Sequence, residues 1–130
     1  MGADAAIMKN TAPDALADST RLLKAFADPV RLRLLNLLSG DREEVCVCHL
    51  HEALGLSQPT VSRHLAYLRR HGLVVGRKDG LWVYYRLAKA KAGLHRILLG
   101  CLDSCLGDPV IFSQDRQRLE RSASCCDGAG

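Results

Sequence analysis

Six cysteines, Cys46, Cys48, Cys101, Cys105, Cys125 and Cys126, are the residues of this 130-residue chain best suited to chemistry. Thiolates are soft ligands and oxidisable groups, so close spacing suits thiophilic ions or reversible oxidation. Cys46 and Cys48 flank a single residue. On an ideal helix, positions i and i+2 point about 200° apart. Gripping one ion with this pair therefore requires an extended or unwound segment at a helix start, where the helix end also favours the thiolate. Their bland alternative is a pair of small buried thiols. Cys101 and Cys105, four apart, share one helix face, as core residues or as ligands. Cys125 and Cys126 are vicinal, a spacing suited to soft-metal chelation.

The first nine residues lack a basic stretch followed by an apolar one, and no apolar run approaches the roughly 20 residues that span a bilayer. The expectation is a cytoplasmic chain whose thiols are reduced. No Cys-x-x-Cys precedes a βαβ pattern and no glycine-rich phosphate loop occurs, which speaks against a small cysteine-dependent reductase.

Charge supplies a second clue. Nine Lys/Arg fall between Thr60 and Arg96 against one acid, Asp79, although the whole chain carries only +4. Such a basic stretch suits a polyanion, most often nucleic acid.

These residues must be held by local elements, and the periodicity predicts them. Asp28-Pro29 reads as an N-cap with proline in the first turn, followed by a stripe of Val30, Leu34, Leu37 and Leu38. A short helix over Cys48–Leu54, with Leu50, Ala53 and Leu54 inward, ends at Gly55. Ser57 caps the next helix, whose inner face is Val61, Leu65 and Leu68. The pair forms a helix-turn-helix. The outer face of its second helix, Ser57, Gln58, Thr60, Ser62, Arg63 and His64, carries residues that hydrogen-bond base edges or phosphates in a major groove. The period then changes to two. Leu73-Val74-Val75 and Leu81–Leu87 flank Lys78-Asp79-Gly80 and predict a hairpin, with Leu81, Val83, Tyr85 and Leu87 on one side. Arg77 and Lys78 near its tip would reach the DNA backbone, while Trp82 and Tyr84 either stack on bases or pack the wing. A last long helix is expected over Ala88 to about Leu106. The fold class is mainly α with a two-stranded β-wing. Residues 1–13 read as a flexible arm, 14–106 as the winged helix-turn-helix and dimerisation domain, and 107–130 as a mobile cysteine-containing tail.

Phe26–Leu35, Glu44–Leu50, Leu56–Leu65 and Trp82–Leu87 together resemble the ArsR/SmtB family of metalloregulatory repressors. The resemblance covers about half the chain. It implies a homodimeric winged-helix repressor, with the first and last helices at the dimer interface, that leaves its operator DNA when a thiophilic ion binds. The Cys46-Val47-Cys48 element is similar to the arsenite-sensing branch, Glu-Leu-Cys-Val-Cys-Asp-Leu-Cys in its best-known form. That branch implies arsenite or antimonite as inducer and Cys46 and Cys48 as ligands. Here His49 replaces the aspartate and His51 occupies the third cysteine position. Trivalent arsenic prefers thiolates to imidazole, so the site is either a bare two-thiolate one or is completed by a thiol from elsewhere, with Cys125 and Cys126, or less favourably Cys101 and Cys105, as candidates. The zinc-sensing branch uses two acid/His pairs on the last helix, of which only His95 and Asp103 are present. A cadmium, lead or zinc response, and thiol oxidation in place of metal binding, stay open as alternatives.

Overall fold

Asp28 separates the first two helices, α1 (Pro13–Phe26) and α2 (Pro29–Leu38), in the computed structural model, which describes residues 13–40, 42–91, 93–104 and 109–122. Its backbone is extended, and its carboxylate accepts from the N–H groups of Val30 and Arg31 at 2.9 and 3.1 Å. This is the expected cap, with Pro29 in the first turn where a missing N–H costs nothing. Arg31 binds three helices together. Its guanidinium donates to the carbonyls of Lys24 and Ala25 at the end of α1, both at 2.8 Å. Its flat face lies 4.1 Å from the ring centre of Tyr67.

The helix-turn-helix follows as α3 (Val47–Leu54) and α4 (Gln58–Arg70). Gly55 closes α3 with φ of 68°, a left-handed backbone that a side chain would strain. Leu50, Ala53, Val61, Leu65 and Leu68 are fully buried between these helices and α2. Strands β2 (Val74–Asp79) and β3 (Trp82–Leu87) pair antiparallel from Val74↔Leu87 to Asp79↔Trp82, with Gly80 at φ 60° in the connecting turn. Leu81 does not face inward with Val83 and Tyr85. It occupies the turn itself and is 95% exposed.

A third strand joins the wing. β1 (Val45–Cys46) pairs with β3 through Val45↔Tyr85 and Cys46↔Tyr84, giving the order β1-β3-β2. Two residues are too short a run for alternation to reveal.

The last helical region differs more. Helix α5 (Gly93–Ser104) starts five residues later than the expected Ala88. Lys89 and Lys91 put positive charge where the helix dipole is already positive. Instead, the Lys91 N–H donates to His95 Nδ1 at 3.4 Å.

Residues Val110–Ser122, expected within the loose tail, form helix α6. Its Phe112, Asp115 and Leu119 are buried against α2 and α3. Asp115 accepts from Arg33 Nε and Nη2 at 2.8 and 2.9 Å and from Arg118 Nη2 at 2.8 Å. The same guanidiniums donate to the carbonyls of Leu54 (3.0 Å) and Ala53 (2.7 Å), orphan acceptors at the end of α3. The expected arm, apart from Pro13 at the head of α1, and the end of the tail lie outside the described residues. No described helix is long and apolar enough to cross a membrane.

Truncating Asp115 would leave two guanidiniums at a buried site without their carboxylate. Asp115→Ala should cost about 3–5 kcal/mol of stability by equilibrium urea unfolding. A loss below about 1 kcal/mol, the value of an exposed pair, would show that α6 is not held by this contact.

Candidate nucleic-acid interface and thiol site

The candidate reading face is built by one capped helix start. Ser57 has extended backbone, and its Oγ accepts from the Thr60 N–H at 3.3 Å while donating to Thr60 Oγ1 at 2.9 Å. Gln58 and Arg63 are exposed, and Ser62 and Thr60 are partly so. Burial of Val61, Leu65 and Leu68 leaves these polar residues on the outer side of the first turns. His64 departs from that set. Its Nδ1 lies 3.8 Å from Asp28 Oδ1, so the ring is partly turned toward the cap of α2.

The two wing cations are also unequal. Lys78 is exposed. Arg77 donates to Glu44 through Nε at 3.1 Å and through Nη2, sits 3.6 Å from Asp79, and places its guanidinium 4.8 Å from the Tyr84 ring centre. It is a tether between β2 and the residue before β1. The arginine holds the Glu44 carboxyl below its ordinary range, and Glu44 in turn raises Arg77. Tyr84 serves wing packing here. Glu44 stood inside the motif read from sequence, but its partner lies 33 positions on, beyond any spacing rule.

Cys46 ends β1 and is the extended N-cap residue of α3. This unwound start brings Cys46 Sγ and Cys48 Sγ to 3.0 Å. Cys46 is buried and Cys48 partly buried. Cys48 is disulfide-bonded, which departs from the all-thiol expectation. His51, at the motif's third position, has its Nδ1 3.2 Å from the Leu56 carbonyl. It braces the turn between α3 and α4. No group of three or more His, Cys, Asp or Glu among the described residues is arranged to hold a metal. Cys101 lies partly buried on α5, while Cys105, Cys125 and Cys126 fall outside the described residues.

Residues 28–75 match the family model described as bacterial regulatory protein, arsR family. The chain is 53% identical over 68 residues to the arsenical resistance operon repressor of Escherichia coli K12, covering 52% of this chain and 57% of that one. It thus spans little more than half of that relative. It is 48% identical over 110 residues to the arsenic resistance transcriptional regulator ArsR2 of Pseudomonas putida, covering 81% of this chain and 95% of that one. Reduced HlyU from Vibrio cholerae superposes with a TM-score of 0.61 at 35% identity, covering 78% of this chain and 97% of that one.

The tether can be checked by titration. A carboxyl held down by a cation contributes above its unfolded pKa, and the contribution disappears as pH falls through the folded pKa. Glu44 should therefore titrate below the ordinary glutamate value of about 4.3 and rise toward it in Arg77→Ala, where Arg86 still lowers it. An unchanged Glu44 midpoint by carboxyl NMR in that variant would show that the pair does not persist in solution.

Proposed function

The chain belongs to the arsR family of bacterial regulatory proteins and has its winged helix-turn-helix fold, and on that premise we propose a DNA-binding repressor released by trivalent arsenic or antimony. The homodimer binds operator DNA, and once a cellular thiol reductant has cleaved the disulfide at Cys48 the metalloid binds Cys46 and Cys48 as thiolates. One observation carries this reading: Cys46 belongs at once to the sheet that holds the wing and to the cap of α3. An ion drawn between the two sulfurs acts on a backbone shared by both DNA-facing parts. The position of β1 beside β3 supports transmission to Lys78, and α3 packs directly on α4.

Two thiolates leave a pyramidal arsenic short of one soft ligand. We assign the third to Cys125 or Cys126. From Asp115 beside Arg33 and Leu54, α6 passes Arg118 beside Ala53 and runs along α3. The two cysteines follow Ser122, its last residue, by three and four positions. Exposed Leu16 and Leu23 on α1 and Ile97 on α5 supply an apolar face for the second copy. The disulfide at Cys48 favours a second reading, in which thiol oxidation drives the same release.

Two kinds of DNA contact should separate by mutation. Arg63→Ala should lose about 1–3 kcal/mol of specific binding if the guanidinium meets a base. Lys78→Ala should flatten log K against log[salt] by about 0.9 and weaken random and selected duplexes equally. The converse pattern in binding isotherms would reverse these roles.

Release tests the inducer. With duplex selected from random DNA, wild-type complexes should dissociate on adding arsenite to the reduced protein. Cys46→Ser and Cys48→Ser should still bind duplex yet respond poorly in gel mobility. DNA must weaken arsenite binding by the same factor, typically about 5–150-fold. Release by peroxide but not arsenite would establish the oxidation reading. If Cys125→Ser with Cys126→Ser abolishes release while Cys46→Ser responds normally, the sensing thiols are C-terminal.

A further inference from the structure

A cavity of about 430 Å³ opens between α1, the end of α4 and the start of α5, apart from the thiols and the base-reading turns. Arg21, Arg70, His71, Lys91 and His95 line it, with Asp18 as the acid among its described lining residues. Asp18 is ion-paired with Arg21, which leaves the charges of Arg70 and Lys91 without a lining carboxylate to offset them. His95 is only 5% exposed. Its Nδ1 accepts from the Lys91 N–H, so the neutral ring carries its proton on Nε2. That buried N–H meets no acceptor among the described residues. A buried donor left unpaired is destabilising.

The surroundings have one sign. Burial lowers the pKa of His71, and Arg70, Arg21 and Arg31 of α2 lower it further. His95 is lowered by burial and then by Lys91. The N-terminal end of α5 adds its positive dipole. On α5, His95 and the exposed Ile97 are two residues apart, hence on nearly opposite faces. A second copy covering Ile97 would meet the side of α5 away from His95.

We propose that this cavity binds a phosphate group, with Arg70 and Lys91 as charge partners and His71 and His95 on its walls. The phosphate could belong to a free ion or to a DNA backbone. Helix α4 has 13 residues and is therefore about 20 Å long. The cavity lies at the end remote from the base-reading residues, which favours the free ion.

The test follows imidazole nitrogens of the full chain by NMR while inorganic phosphate replaces chloride at constant ionic strength. An anion at contact distance favours the imidazolium, so both histidine midpoints should rise saturably, by about 1 unit or more. Arg70→Gln and Lys91→Gln should each weaken phosphate about tenfold, with melting by circular dichroism reporting that both variants fold. Adding duplex DNA without free phosphate separates the sources. An unmoved His95 identifies the free ion, and a raised one identifies a backbone phosphate. If phosphate acts no more strongly than chloride, or if both folded variants bind it like wild type, the cavity is not an anion site.

Discussion

Asp115 holds its carboxylate at zero exposure by accepting from two guanidiniums, Arg33 from α2 and Arg118 from its own helix. A buried carboxylate is costly unless its oxygens are paired, and here both are. The arginines do a second task in the same geometry, since each also donates to a carbonyl at the end of α3. One cluster thereby joins the scaffold helix, the first helix of the reading motif and the C-terminal helix. Arg33 is itself raised in pKa, chiefly by its hydrogen bonds to Asp115, and keeps its charge at any working pH. The position of α3, and through it that of α4, rests on this arrangement.

The reading motif was legible because its determinants are local. Asp28 with Pro29, Gly55, and Ser57 with its inward Val61, Leu65 and Leu68 each act within a few residues of themselves. The hairpin was equally plain from Asp79-Gly80, although Leu81 belonged to the turn and not to the inner face. What escaped was non-local. Strand β1 exists because β3 lies beside it, and Arg77 has a partner across the sheet. Helix α6 was hidden by its polarity. Its core-facing residues, Phe112, Asp115 and Leu119, recur at helical spacing, but the central one is an acid. The distant Arg33, together with Arg118 one turn further along α6, makes that burial favourable.

The thiol pair was legible in kind, and the geometry sharpens it. Chelation by the pair would require an extended start to α3, and Cys46 is extended, with the sulfurs at 3.0 Å. The histidine at the third motif position was ambiguous on composition. Its contact with Leu56 gives it a structural task at the turn. No spacing argument distinguishes these roles, because both place the ring on the same helix face.

The direct pairing of Cys46 with Tyr84 has a consequence for how such a regulator diversifies. Residues 44–51 and residues 57–64 are adjacent, non-overlapping stretches of one chain, linked through the Gly55 turn. On the proposed function, substitutions in the first stretch would change what is detected while the outward face of α4 keeps its chemistry. On the same reading, substitutions in the second would change which duplex is bound while the strand-to-helix junction keeps its shape.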